Sequence, residues 1–218
     1  MITAGPSALV PPRKSFRATQ FELREAAILD AAGGLLARVG YEAMSMDEIA
    51  AEVGIAKGSL YRHFASKERL AAAVLLRLAA RTRDRLDALT IEATSPLARL
   101  RALVAWALHQ RLAGAVPLLA STSPALRHAL EHDPHYEAAM GELSAGLSAC
   151  IAQAKAAGEL RADLQDDFVL CSLHARCCDP ALDLLRARCA LTDTELVDHL
   201  VSGCFDGLAA APRRADPG

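Results

Sequence analysis

Aromatic side chains are scarce in this 218-residue chain, only 4% of it (five Phe, three Tyr, one Trp). An apolar fraction of 52%, supplied mostly by Ala and Leu, favours packed helices over sheets. No uncharged apolar run approaches the ~20 residues that span a bilayer. The first residues carry their positive charges (Arg13, Lys14) after the apolar ones, which is not the order of a secretion signal. A cytoplasmic protein without a membrane partner is therefore expected. Its six cysteines are expected as reduced thiols, and none has the CxxC spacing of a zinc ribbon. Strand alternation, internal repeats and a Gly-rich phosphate loop are absent. So are the HExxH motif, a Ser–His–Asp order and paired carboxylates in an apolar frame. The expectation is no enzyme and no cofactor. The net charge of −2 does not announce a nucleic-acid partner, so the distribution of charge has to decide.

What is present is concentrated between residues 45 and 70. Ser45 stands three residues before Glu48, a capping box for a helix start. Ile49, Ala50 and Val53 then recur at helical spacing. Gly54 follows, where a chain leaving a helix commonly needs positive φ. A second short helix, Lys57–Phe64, sets Leu60 and Phe64 on its inner side. Its other side carries Lys57, Ser59, Tyr61, Arg62 and His63. So many hydrogen-bonding side chains on so short a helix suit a recognition helix in a DNA major groove. Ahead of it, an amphipathic helix over Gln20–Arg38 places Phe21, Ala27, Ile28, Ala31, Leu35 and Val39 on its core side. Behind it, Ser66 reads as the N-cap of a long helix.

The block from Gln20 to Leu75 resembles the DNA-binding domain of the tetracycline-repressor (TetR/AcrR) family of bacterial transcriptional regulators. The resemblance is carried by Gly-Tyr-Glu-Ala (40–43), Ile-Ala-Ala-Glu-Val-Gly-Ile (49–55), Lys-Gly-Ser-Leu-Tyr-Arg-His-Phe (57–64) and Ser-Lys-Glu-Arg-Leu (66–70). One departure is Ala56, where the family often has a Ser or Thr that caps the recognition helix. Its absence weakens that helix by about 0.5–2 kcal/mol, with Ser59 expected to compensate only in part. The resemblance implies DNA contacts from Ser45, Lys57, Ser59, Tyr61, Arg62, His63 and Lys67. Lys57, Tyr61 and His63 are the candidates for base edges. Ser45, Ser59, Arg62 and Lys67 are the candidates for phosphates.

Further along, Ser95-Pro96, Ser123-Pro124 and Asp133-Pro134 each read as an N-cap followed by proline in the first turn. Helices are expected over Lys67–Leu89, Pro96–Leu112, Val116–Ser121, Pro124–Glu131 and Pro134–Ala157. A further one runs from Asp163 toward Ala190, bent at Asp179-Pro180. Thr192 and Glu195 form a second capping box, opening a last helix over Asp193–Ala210. The Asp163–Ala190 segment is apolar on two faces, with Leu164, Phe168, Cys171, Ala175, Cys178, Leu182, Leu185 and Cys189 on one. Leu170, Leu173, Cys177, Ala181 and Leu184 form the other. The last helix adds Leu196, Leu200, Phe205 and Leu208, with Gly203 and Gly207 permitting close approach. A helix buried on two sides wants a partner, and the resemblance implies a four-helix dimer interface from these segments.

The expected fold is all-α. A basic arm (1–19) precedes a three-helix helix-turn-helix domain (20–66), a helical ligand-binding and dimerisation domain (67–211) and a tail (212–218). Arg13, Lys14 and Arg17 of the arm are candidates for phosphate or minor-groove contact. The expected function is a homodimeric repressor released from a palindromic double-stranded operator by a small-molecule effector. Trp106, His109, Gln110, Leu118, Met140, Leu143, Leu147 and Phe168 are candidate effector-lining residues, suiting an aliphatic or modest-sized molecule. The alternative is a metal- or thiol-redox-responsive regulator using Cys171, His174 and Cys178. With Asp167 these lie in one sector of a helix but spread over about 16 Å, so one ion cannot meet them all. His128, His132 and His135 invite a similar reading, and His128 and His132 are four apart, a spacing that can bind metal on a helix. The break at Asp133-Pro134 favours a solvated loop edge for them.

Overall fold

The computed structural model describes residues 15–116, 123–179 and 181–206. Their elements are the helices α1 (Phe16–Ala43), α2 (Met46–Val53), α3 (Lys57–His63), α4 (Lys67–Glu92), α5 (Pro96–Leu112), α6 (Pro124–Glu131), α7 (Pro134–Ala156), α8 (Asp166–Cys177), α9 (Ala181–Arg188) and α10 (Asp193–Asp206). Arg13 and Lys14, Leu118 with most of the short helix expected near 116–121, Pro180, Gly207, Leu208 and the tail at 212–218 lie outside the described residues.

The helix starts follow from local chemistry. Side-chain oxygens of Ser15, Ser45, Ser66, Ser95 and Ser123 each accept the backbone N–H three residues on, at 3.1–3.3 Å. Asp133 accepts from His135 and Tyr136. Thr192 and Glu195 bond reciprocally, side chain to backbone in both directions. These bonds satisfy donors that a helix start leaves free.

Several boundaries differ from expectation. Ser15 caps α1, so the helix begins at Phe16, and Arg17 stands on it rather than in an arm. Gly40, at φ 76°, takes α1 out of helical geometry before Met44. The segment expected as one bent helix from Asp163 is two helices. Asp163 pairs with Arg161 at 2.6 Å, and α8 opens only at Asp166. The chain leaves α8 at Cys178, two residues before a proline that cannot supply the next helical donor.

Among the described residues, three apolar clusters hold the helices together. Ile28 and Leu36 of α1, Ile49 of α2, Leu60 of α3 and Leu70 to Leu75 of α4 share the first cluster with Leu126 and Leu130 of α6. The second gathers α5, α7, α8, α9 and α10 around Leu108, Ile151, Val169, Leu182, Val197 and Phe205. Between them, Leu86 and Leu89 of α4 meet Leu103 of α5, flanked by Trp106 and Leu147. The first turns of α4, and α6 as well, thus share the core of the N-terminal helices. Polar contacts reinforce the docking of α6. The Ser123 hydroxyl donates to Glu42 at 2.6 Å, and Arg69 pairs with buried Asp133 at 3.4 Å.

Leu130→Ala should therefore destabilise the whole chain by about 2–5 kcal/mol, read as a lower urea midpoint. A midpoint unchanged from wild type would mean that α6 is not part of this core.

Candidate nucleic-acid interface

Helix α2 is fixed at both ends. At its start the Ser45 hydroxyl accepts from Glu48 N–H at 3.1 Å and donates to the Glu48 carboxylate at 2.9 Å. The carboxylates of Asp47 and Glu48 in its first turn complement the positive end of the helix dipole. At its end Gly54 adopts φ 72°, ψ 34°. There Ile55 N–H bonds Ala50 O at 2.9 Å and Gly54 N–H bonds Ala51 O at 3.1 Å, the paired bonds of a left-handed helix stop. This turn sets the angle at which α3 leaves.

Helix α3 has only seven residues and no side-chain cap, since Ala56 offers no acceptor. Ser59 does not replace it: its hydroxyl accepts instead from the Arg62 guanidinium at 3.2 Å. Support comes from other elements. Leu60 and Phe64 are buried beneath the helix, as the sequence led us to expect. At one end Lys57 pairs with Asp47 of α2 at 2.7 Å, and that hydrogen bond pushes the lysine upward from its usual range. At the other end the His63 ring stacks on Phe21 of α1, centroids 4.0 Å apart. His63 is thus turned inward, its side chain only 4% exposed and its Nδ1 3.7 Å from the Glu25 carboxylate. Phe21, expected in the core, is half-exposed and covers that ring, and Ala27 and Val39 are likewise exposed. Tyr61 and Arg62 face solvent.

Lys67 occupies a different niche from an extended phosphate-seeking lysine. It donates to the Glu42 carbonyl at 3.1 Å, and its ammonium lies 4.4 Å from the centre of the Tyr41 ring. The Tyr41 hydroxyl donates to Glu68 at 2.8 Å. Burial, with Glu68 beside it, raises the Tyr41 pKa well beyond the phenol range. The Glu68 carboxylate is held below its ordinary value first by the Ser66 hydroxyl, then by its own N–H and Tyr41. Motif spacing alone did not single out this junction between α1 and α4. The adjacent Tyr41-Glu42 and Lys67-Glu68 pairs were the available signal.

Residues 28–74 match the model of the bacterial regulatory proteins of the tetR family, a span that runs from α1 through the helix-turn-helix into α4. The likeness to that family lies in this segment of the chain. It is 35% identical over 81 residues to the HTH-type transcriptional repressor KstR of Mycobacterium tuberculosis. That match spans 37% of this chain and 37% of the repressor's length. The fold extends further than the sequence match. The ketosteroid transcriptional regulator KstR2 of Mycobacterium tuberculosis aligns with a TM-score of 0.64 at 22% identity, over 86% of this chain and 96% of that one. A TetR-family regulator from Agrobacterium tumefaciens aligns at 0.68 and 23% identity, over 87% and 99%. The fatty-acid regulator FadR of Bacillus subtilis, solved with stearoyl-CoA, aligns at 0.65 and 16% identity, over 84% and 98%.

Outside the helix-turn-helix segment, the sequence candidates scatter. Trp106 packs beside Leu147 against the α4–α5 cluster. Leu143 is buried, Met140 and His109 are half-buried, and Gln110 accepts from Arg81. Phe168, expected to line a pocket, is instead 55% exposed on α8. Cys171 and His174 are also exposed there. Burial pushes the Cys177 thiol up to about 12 and the Cys178 thiol up to about 11, so both stay protonated near neutrality and react poorly. Among the described residues no three His, Cys, Asp or Glu side chains gather as a metal cluster.

Ala56→Ser should supply the missing cap and raise stability by about 0.5–2 kcal/mol, measured by urea unfolding; no gain would mean the α3 start is satisfied some other way. The Glu68 junction predicts a pH effect. Because the folded pKa lies below the ordinary 4.5, its contribution is full above that value and lost as pH falls through the folded one. Glu68→Gln should therefore lower stability at neutral pH and flatten its loss in acid. An acid-unfolding curve parallel to wild type would contradict this.

Proposed function

We propose that this protein is a DNA-binding transcriptional repressor of the TetR family that acts as a homodimer on a palindromic operator and is released by a small-molecule effector. The observation that carries the reading is α3 itself. It is a seven-residue helix clamped at both ends, and it presents Lys57, Tyr61 and Arg62 outward beside a family-matching turn. The 81-residue likeness to a known repressor supports the direction of regulation.

Within this reading Tyr61 and Lys57 meet base edges, with Lys57 exchanging Asp47 for the groove. Arg62 and Ser59, already joined, approach a phosphate together, and such contacts supply much of the affinity and its salt dependence. Ser45 has its hydroxyl engaged within α2 and contributes through the helix end it caps. Lys67 adds positive charge at the α1–α4 junction. His63 acts from behind, holding α3 to α1 through Phe21.

The outward face of α8, with Phe168, Cys171 and Ala175 exposed, and exposed Leu184 of α9 supply an apolar surface for a second copy. Such pairing sets two recognition helices about 34–36 Å apart, or a multiple of it, for successive groove faces. The effector reading rests on the apolar contact of Trp106 with Leu147 at the α4–α5 cluster, with Met140, Leu143, His109 and Gln110 as further candidates from the sequence. These suit an aliphatic molecule. Its leverage is its differential affinity for the two spacings, typically about 1–3 kcal/mol. A cytoplasmic location fits a chromosomal target, and no described helix is long and apolar enough to cross a membrane.

The test is binding of the purified protein to DNA upstream of its own gene across a salt series. A salt-sensitive shift that survives competitor DNA supports the proposal, and Tyr61→Ala should abolish it while the protein still elutes as a dimer. A Tyr61→Ala variant that binds like wild type, or that runs as a monomer, would overturn this division of labour.

A further inference from the structure

We propose that His128 and His132 form a chelating site for a borderline transition-metal dication, Zn(II), Ni(II) or Cu(II), on the solvent face of α6. Asp133-Pro134 does not disrupt the pair. The helix holds through Glu131, His132 is its cap residue, and the chain turns only afterwards. Both rings are exposed, with centroids 4.3 Å apart and planes tilted by 48°. One turn of helix brings them together, and His residues four apart on one helix face are a recurrent metal-binding pair.

A second observation fixes the chemistry of one ligand. His132 Nδ1 lies 2.8 Å from the His128 carbonyl oxygen. A carbonyl only accepts, so in the neutral ring Nδ1 carries the proton and Nε2 carries the free lone pair. A backbone carbonyl partner is a common way to set tautomer and orientation in metal-ligating histidines. Imidazole donors select Zn, Ni and Cu over Mg or Ca, which take oxygen. Two protein ligands leave the remaining positions to water, so the site is open rather than a closed structural one.

The molecule contains its own comparison. His199 of α10 makes the same bond, Nδ1 2.7 Å from Glu195 O. One turn before and after it, however, stand Glu195 and Gly203, not a second imidazole. It has the anchored ring without the chelate partner. The position of the proposed site also matters. The opposite face of α6 puts Leu126 and Leu130 into the core of the DNA-binding domain. An ion bridging His128 and His132 would hold the last turn of α6 closed against fraying while that face stays packed. The site stands independently of any reading of DNA binding.

The experiment is calorimetric titration of tag-free protein with Ni(II) and Zn(II), with Mg(II) as the comparison. Expected are one equivalent of Ni(II) or Zn(II) per chain and no binding of Mg(II). His128→Gln and His132→Gln should each lose about tenfold or more in affinity, because each removes the intramolecular partner. His199→Gln should bind as wild type. Both helix variants change exposed side chains, and circular dichroism confirms that the fold is retained. Binding that survives both substitutions, or that is lost on Cys171→Ser or His174→Gln instead, would overturn the assignment. So would half an equivalent per chain with a doubled mass, since that places the ion between molecules.

Discussion

The burial of one helix in two separate apolar clusters constrains everything else in this molecule. Leu70 to Leu75 of α4 belong to the core of the helix-turn-helix, while Leu86 and Leu89, about three turns on, pack against α5. An uninterrupted helix connects those sites with a fixed rise and rotation per residue. The two ends are therefore joined by continuous helix rather than by a flexible linker. The Tyr41–Glu68 hydrogen bond and the Lys67 ammonium over the Tyr41 ring tie the near end to α1. Helix α6 makes a second connection, through Leu126 and Leu130 and through Ser123 to Glu42.

A helix of seven residues has almost no stability of its own, because nucleation consumes most of what its few hydrogen bonds return. Helix α3 exists because its surroundings hold it. Leu60 and Phe64 bury its inner face, Gly54 sets its direction, and Asp47 and Phe21 hold its two ends through Lys57 and His63. The absence of a cap at Ala56 is tolerable for this reason. The same arrangement leaves the outward residues few and fixed in place, which favours a specific surface over an adaptable one.

Much of this architecture was legible in the sequence because it depends on neighbours in the chain. The starts at Pro96, Pro124, Pro134 and Asp193 and the stops at Gly40 and Gly54 are written in residues within one turn of the boundary. The failures share a cause as well. Phe21, Ala27 and Val39 fit an apolar stripe by spacing, yet whether they are buried depends on what lies alongside α1, and there the answer was solvent. His63 looked like an outward reader because helical position places it near Tyr61; a ring from forty-two residues earlier covers it. Phe168 reads equally well as pocket, core or surface, and only the packing of α8 decided among them. The two-faced pattern over residues 163–190 concealed a break, since periodicity does not register where a helix stops and restarts.

Footprinting of bound DNA tests most directly the proposal that a pair of these clamped helices reads two half-sites of one operator. Expected are two protected major-groove segments on one face of the duplex, their centres one helical turn (about 10–10.5 base pairs) or a whole multiple apart. Protection spread evenly along the fragment, growing with its length and without discrete segments, would contradict it.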